Sequence, residues 1–369
     1  MVGIMKKWLM LFLVAGLLLY GCSNEETENT SRSPKKPETV EEKETVARPV
    51  ELQVLAQDLR IPWAINKTND TFYISEREGA VVKVENGKQT RQEVVFEKPL
   101  ANAPEAGFLG FILAPDFHET GKAFGYYTYQ DQGQFNRIIE LTIEGNQWRE
   151  AKLLLDKIPS GNIHHGGRLA LGPDGKLYAT AGDAAEAELA QDLNHLNGKI
   201  LRLNQDGTVP NDNPFENSYV YSYGHRNPQG LVWAEDGTMY ASEHGPNAHD
   251  EINIIESGKN YGWPVIVGDD KQAEMESPLF HSGTTTWAPS GMAISDGKLY
   301  VATLRGNAVR EFNLETKETK EAVSGLGRIR DVLLEGDQLY FVSNNTDGRG
   351  IPQENDDKLY QISLSSLGE

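Results

Sequence analysis

The chain has 369 residues, 38% of them hydrophobic, and carries 35 Lys and Arg against 54 Asp and Glu, a formal net charge of −19. That length is enough to bury a substantial core. The acidic balance, with no cluster of Lys and Arg, excludes nucleic acid as a partner, because phosphate binding needs cations gathered on one face; any anionic ligand must find a local basic pocket.

Lys6 and Lys7 precede an apolar run from Trp8 to Tyr20. This is the pattern of an export signal, a positive start followed by an apolar stretch too short to span a bilayer comfortably. The run ends in Leu19-Tyr20-Gly21-Cys22, which resembles a bacterial lipobox, whose cysteine is lipidated and becomes the mature N-terminus. Cys22 is also the only cysteine, so no intramolecular disulfide can form. Residues 1–22 are therefore read as a lipoprotein signal peptide. The expectation is an exported protein held by lipid on Cys22 at the extracytoplasmic face of a bacterial membrane. Residues 23–47 are Glu, Lys, Ser, Thr and Pro with almost no large apolar side chains. Such a segment cannot offset its ordering entropy by burial, and it is expected to be a disordered acidic tether. Residues 48–369 are expected to form the folded domain.

From Val50 onward short apolar runs alternate with Gly, Asp, Asn and Pro turns, and helical periodicity is absent apart from a short turn near Ala185 to His195. The pattern is all-β. One unit recurs: a turn, often Asp-Gly, then a short apolar strand carrying a tyrosine. Its six copies hold Tyr73, Tyr126, Tyr178, Tyr240, Tyr300 and Tyr340, spaced 53, 52, 62, 60 and 40 residues apart. Near-regular repetition at that period predicts a six-bladed β-propeller with four-stranded antiparallel blades. The wider spacings place loop insertions around the third to fifth copies, where functional loops are expected.

Two stretches concentrate chemistry. Gly161-Asn-Ile-His164-His165-Gly-Gly-Arg168 places a histidine beside two glycines, which let another group approach the backbone. A histidine is the usual general base near neutral pH, and a carboxylate such as Asp183 can hold its tautomer. Tyr223 to Pro264 places Arg226, Asn227, Glu243, Asp250 and Glu251 on turns around one predicted strand.

Taken together, His164-x-Gly-Gly-Arg-Leu, Asn197-Gly-Lys-Ile-Leu-Arg-Leu-Asn, Tyr223-Gly-His-Arg-Asn-Pro-Gln-Gly-Leu, Glu243-His-Gly-Pro-Asn, Asp250-Glu-Ile-Asn and Asn260-Tyr-Gly-Trp-Pro resemble the soluble PQQ-dependent glucose and aldose sugar dehydrogenases. The resemblance runs from about Pro62 to Ile362. It implies a propeller holding pyrroloquinoline quinone (PQQ) at one mouth with Ca²⁺ beneath it, an aldose substrate oxidised to a lactone, and an external electron acceptor. His164 aligns with the family's catalytic base and Asp183 with its supporting carboxylate, while His165 falls at a variable position. Arg226 and Asn227 match the pair facing the quinone, and Gly245 and Pro246 the pair whose carbonyls hold Ca²⁺. Glu251 and the backbone of Tyr261 resemble a second, structural Ca²⁺ site, and Glu105 falls where relatives carry Gln or Glu near the cofactor.

The chemistry of the residues agrees with what the resemblance implies. PQQ carries three carboxylates, and Arg305, Arg328 and Arg330 supply cations whose forks suit them. The Arg-x-Arg spacing puts Arg328 and Arg330 on one face of a strand. A carboxylate at Glu105 would repel such a ligand unless protonated or paired. Two other classes compete: a Ca²⁺-dependent propeller hydrolase of the lactonase type, which needs no arginine cradle, and a noncatalytic cell-surface propeller that binds glycan or protein.

Overall fold

Turns and loops punctuate the chain, and between them the backbone runs as β-strands of two to thirteen residues. The computed structural model describes residues 52–367; the signal peptide, Cys22 and the tether expected for residues 1–47 lie outside the described residues. The strands are, in chain order, β1 (Gln53–Ala56), β2 (Pro62–Thr68), β3 (Thr71–Glu76), β4 (Ala80–Glu85), β5 (Lys88–Val95), β6 (Phe108–Leu113), β7 (Lys122–Gln130), β8 (Gln134–Glu144) and β9 (Gln147–Pro159). Then come β10 (Leu169–Leu171), β11 (Leu177–Ala181), β12 (Lys199–Leu203), β13 (Val220–Tyr223), β14 (Pro228–Trp233), β15 (Met239–Glu243), β16 (Glu251–Ile255) and β17 (Phe280–His281). The last are β18 (Pro289–Ser295), β19 (Lys298–Thr303), β20 (Ala308–Asn313), β21 (Thr319–Ser324), β22 (Ile329–Glu335), β23 (Gln338–Ser343) and β24 (Leu359–Ser363). Among the described residues helix is confined to α1 (Phe117–Thr120) and two 3-10 turns, Ala187–Gln191 and Leu364–Leu367. The first 3-10 turn falls where the sequence predicted one.

The strands pair as antiparallel meanders. Four sheets have four strands, in the orders β10-β11-β12-β13, β14-β15-β16-β17, β18-β19-β20-β21 and β1-β24-β23-β22; the fifth has eight, β2-β3-β4-β5-β9-β8-β7-β6. The expectation of six separate four-stranded sheets is therefore not what the hydrogen bonds show. In the eight-stranded sheet two meanders are fused edge to edge, because Glu93–Val95 of β5 pairs in parallel with Gln147–Arg149 of β9. Both edge strands are long, so their unpaired N–H and C=O groups satisfy each other instead of facing water.

The six repeat tyrosines fall on β3, β7, β11, β15, β19 and β23, every fourth strand, and all are buried. They belong to apolar layers that lie between neighbouring meanders. One layer joins Trp63, Leu109, Tyr126, Leu169 and Leu177, and another joins Phe72, Ile74, Tyr340 and Leu359 across the two ends of the chain. The first strands pack side by side in succession: β2 on β6, β6 on β10, β10 on β14, β14 on β18, β18 on β22, and β22 back on β2. The N-terminal β1 completes the last sheet by pairing with β24.

Register shifts interrupt the first hairpin of five meanders, at Pro62/Ala64, Phe108/Phe111, Pro228/Gly230, Pro289/Met292 and Ile329/Asp331. Bulges of this kind bend a strand and free backbone groups for other partners. The freed groups meet buried polar side chains at the centre. Asp331 accepts from the Ile65 N–H at 2.8 Å and from Arg168 at 3.1 Å, and Arg168 Nε donates to the Gln229 carbonyl at 2.8 Å. The Arg168 guanidinium lies 4.3 Å from the Trp63 ring centroid. This hub ties together strands far apart in sequence.

Candidate active site

The candidate residues sit on two kinds of connection. Glu105, His164, Arg226, Asn227 and Arg328 lie on segments leading into a meander's first strand, and Asp183, Gly245, Arg305 and Arg349 on segments joining second strand to third. In an antiparallel meander both kinds of connection emerge at the same end of the sheet. The topology thus gathers these residues at one end of the strands.

There they line a cavity of about 460 Å³ whose walls include Glu105, His164, Arg226, Asn227, Gly245, Pro246, Asp250, Arg305, Arg328 and Arg349. His164 occupies the left-handed region, φ 63°, which is costly for a residue with a Cβ and marks a fixed loop. Gly182 makes room for that loop: a Cβ there would lie 1.9 Å from the His164 carbonyl oxygen. The imidazole Nδ1 is 2.7 Å from Asp183 Oδ1, and Nε2 is 3.0 Å from Arg226 Nη2. Because a guanidinium can only donate, Nε2 is the acceptor, and the ring is the tautomer protonated at Nδ1. Asp183 is itself fixed, accepting from Trp263 Nε1 at 2.9 Å and from the Ala185 N–H at 2.8 Å. His164 thus presents a basic nitrogen to the cavity with its tautomer set by a buried carboxylate.

Arg226 is held at other points as well. It donates to the Gly245 carbonyl at 2.7 Å and the His244 carbonyl at 3.1 Å, and its guanidinium lies 5.4 Å from the Trp263 ring centroid. Burial pushes this guanidinium below its ordinary range, against the pull of Asp183, Glu243, Asp250 and Glu105. Asn227, in the cavity wall, accepts the Gly166 N–H at 3.0 Å and so braces the glycines behind His164. The Gly245–Pro246 turn is held by Asp250, which accepts from the Gly245 N–H at 2.9 Å, Thr286 Oγ1 at 2.8 Å and the Ala288 N–H at 2.8 Å. Asp250 and Glu243, which binds His225 and the Arg226 N–H, stiffen the turns.

Glu105 resolves the repulsion expected for an unpaired carboxylate. It accepts the His164 N–H at 2.9 Å and pairs with Arg349 at 2.8 Å. Burial opposes its charge, but these two partners outweigh the penalty and hold its pKa at about 2, below an ordinary value of 4.5. A depressed carboxyl contributes stability fully above its unfolded-state pKa and loses it as pH falls through the folded value. A Glu105→Gln variant should therefore show a Tm deficit that is full at pH 7, shrinks below about pH 4.5 and vanishes toward pH 2; calorimetry across that range checks it, and a constant deficit would contradict it.

The predicted arginine trio divides. Arg305 is exposed at the cavity rim, and Arg328 lines the cavity but is committed to Asp347 at 2.7 Å and to the Leu304 carbonyl at 3.2 Å. Arg330 lies deeper, against a void of about 30 Å³ that shares Glu105, His244, Leu304 and Arg349 with the cavity above. Burial lowers its pKa to about 9; Nη1 donates to Gln229 Oε1 at 2.7 Å, while Nε has no partner among the described residues. His244 Nε2 is likewise buried without a partner among the described residues, and burial drives its pKa down to about 4. Unsatisfied buried donors and acceptors are costly, and both residues line the small void beneath the cavity.

Glu251 and Tyr261 come together at a void of about 10 Å³ that they share with Glu243, Gly245, Pro246 and His249. Burial, then the charges of Glu243 and Asp250, push Glu251 up to about 8. Among the described residues no group of three or more His, Cys, Asp or Glu is arranged to hold a metal. His165 is buried and structural: its Nδ1 meets Ser160 Oγ at 2.9 Å and its carbonyl accepts from Tyr126. Sequence reasoning gave no role to His244, Trp263, Asp347 or Arg349. Trp263 and His244 lie inside motifs already singled out; Arg349, in Asp-Gly-Arg-Gly, is indistinguishable from a surface turn until its partner Glu105 is known.

The profile of the glucose/sorbosone dehydrogenase family matches residues 59–353. The chain is 33% identical to quinoprotein glucose dehydrogenase B of Acinetobacter calcoaceticus over 58% of its own length and 52% of that protein's, so it spans about half of that relative. It is 28% identical to the Escherichia coli aldose sugar dehydrogenase YliI, covering 81% of this chain and 91% of the relative. The PQQ-bound aldose sugar dehydrogenase of Streptomyces coelicolor superposes with a TM-score of 0.78 at 33% identity, covering 86% of this chain and 98% of that one. By fold, by site and by a match over most of its length, the chain belongs to the glucose/sorbosone dehydrogenase family.

Proposed function

We propose that this protein oxidises aldose sugars to lactones with PQQ as cofactor and His164 as general base, passing electrons to an external acceptor. The observation that carries the reading is the Asp183–His164–Arg226 chain opening onto an arginine-lined cavity. We also read the eight-stranded sheet as two fused blades. On that reading the molecule is a six-bladed propeller, a count supported by the ring of first strands and the six repeat tyrosines.

The residues present fit PQQ. Arg226, Arg305, Arg328 and Arg349 surround the cavity, Arg330 lies below, and the unpartnered His244 Nε2 and Arg330 Nε await a polar ligand. When bound, PQQ supplies a quinone that accepts hydride from the sugar C1. The chain's own part is to seat the sugar, take one proton and stabilise charge. His164 Nε2 takes the anomeric hydroxyl proton, and Asp183 stabilises the imidazolium that results. C1 and its oxygen are left as the lactone carbonyl. Arg226 now fills the Nε2 lone pair, so freeing the base requires Arg226 to turn to another acceptor; an anionic ligand in the cavity provides one. Fixed there, Arg226 stabilises negative charge best where water is excluded.

Gly245 and Pro246 offer carbonyl oxygens, the ligand type a hard cation such as Ca²⁺ prefers. A cation there competes with Arg226 for the Gly245 oxygen. Buried Glu251, raised by like-charged neighbours, together with Tyr261 suits a second Ca²⁺, whose charge would hold that carboxyl ionised. Titrating the purified protein with PQQ by absorbance should give one site per chain, tighter with Ca²⁺ than with chelator. A protein shown to be folded that binds no PQQ would refute the cofactor assignment. The lactonase reading loses ground because the cavity is lined with guanidiniums, which suit a tricarboxylate and which a hydrolase does not need.

The export signal and Gly21-Cys22 support lipid anchoring at the extracytoplasmic face. Radiolabelled palmitate should label the wild type and not Cys22→Ser, which should be released from membranes; equal membrane retention of both would contradict anchoring.

A further inference from the structure

Beside the cofactor cavity runs a larger groove, about 700 Å³, which shares Leu304, Arg305, Arg328 and Arg349 with it as a common wall. The 460 Å³ cavity must house a tricyclic cofactor and the sugar ring being oxidised over His164. The groove, across that shared wall, offers space for whatever is attached to that ring. We propose that this groove is a subsite for an acidic second sugar, so that the favoured substrates are reducing-end oligosaccharides carrying a uronate next to the oxidised residue. The inference rests on the sugar-oxidising reading above and specifies its substrate class.

Charge carries the argument. The chain as a whole is at −19, yet four cations face this groove against one acid, Asp356. Arg328 and Arg349 are already paired, with Asp347 and Glu105. Arg305 and Lys358 have no carboxylate within ion-pair distance among the described residues. Asp356 is occupied internally, accepting from Asn345 Nδ2 at 2.9 Å and from the Gln353 N–H at 2.8 Å. With Asp356 still charged and Arg305 shared with the cofactor cavity, the balance left at the groove is one net positive charge, centred on Lys358, which a carboxylate would complement.

The rest of the groove suits a sugar. Asn307 and Gln353 bring amides that can donate to and accept from hydroxyls. Ile351, 81% exposed, offers an aliphatic surface to the C–H face of a pyranose, and no other large hydrophobic side chain among the described residues is as exposed. Lys358 lines the groove without lining the cofactor cavity, so it separates the two.

The test compares a glucuronosyl aldose disaccharide, its neutral glucosyl counterpart and the free monosaccharide with PQQ- and Ca²⁺-loaded protein. The acidic disaccharide should exceed the neutral one about tenfold in kcat/KM, equivalent to about 1.4 kcal/mol. Lys358→Gln should abolish most of that preference and leave monosaccharide oxidation unchanged. Equal rates for the two disaccharides, or a preference that survives Lys358→Gln, overturns the subsite. A second readout needs no turnover: methyl glucuronoside, and not methyl glucoside, should perturb the NMR spectrum of the cofactor-free protein, with the effect lost in Lys358→Gln. Absence of that binding overturns the subsite even where simple aldoses are oxidised. Binding without oxidation of any aldose leaves the subsite standing and removes the dehydrogenase reading.

Discussion

Replacing His164 with Ala is expected to lower kcat by about 10²–10⁴-fold, the usual contribution of a positioned general base, while PQQ affinity stays unchanged. The split follows from the geometry. The imidazole is gripped by Asp183 at 2.7 Å and directs Nε2 at the cavity, whereas the cations that would hold a tricarboxylate come from other loops. Steady-state kinetics of PQQ-saturated wild type and variant, with binding followed by absorbance, check it. A variant that keeps full kcat would show that another group takes the proton; one that loses PQQ instead would make His164 a binding residue.

The second large effect is on stability. Asp331→Ala should cost about 3–5 kcal/mol, because removing one partner leaves a buried charge uncompensated. Asp331 is 5% exposed and joins three distant pieces of chain: its own β22, the Ile65 N–H on β2, and Arg168 ahead of β10. Arg168 would be left against Trp63 and the Gln229 carbonyl with no counter-charge. Replacing both charges, in Arg168→Met/Asp331→Leu, should recover much of the loss, since a well-packed apolar pair often equals a buried ion pair. Urea unfolding of the three proteins measures this. A single-variant loss below about 1 kcal/mol, the range of exposed pairs, would show that the hub is not the constraint described.

Much of this architecture was legible in the sequence, for reasons particular residues explain. The tyrosine repeat is a local signal, a turn followed by a buried aromatic, and it placed β3, β7, β11, β15, β19 and β23 in advance. The fusion of two meanders was not legible: the β5–β9 pairing joins segments more than fifty residues apart through backbone groups that leave no mark on side-chain pattern. Nor was the role of β1, which depends on where the other end of the chain arrives. The same division holds at the site. His164 and Asp183 share a short stretch of sequence, and the structure brings them together as expected. The arginine trio was read as equivalent clamps, but Arg328 is held by Asp347 on a different loop and Arg330 lies below the main cavity. Arg349 acquires meaning only through Glu105, which precedes it by more than two hundred residues.

The central claim is that these loops assemble a quinone-dependent sugar dehydrogenase. It is tested most directly by adding PQQ and Ca²⁺ to the purified, cofactor-free protein and following dye reduction across a panel of aldoses. Dye reduction that appears only when cofactor, metal and an aldose are all present, and that falls about 10²–10⁴-fold in His164→Ala, is the predicted result. Folded protein shown to be saturated with PQQ that reduces no dye with any aldose would contradict it.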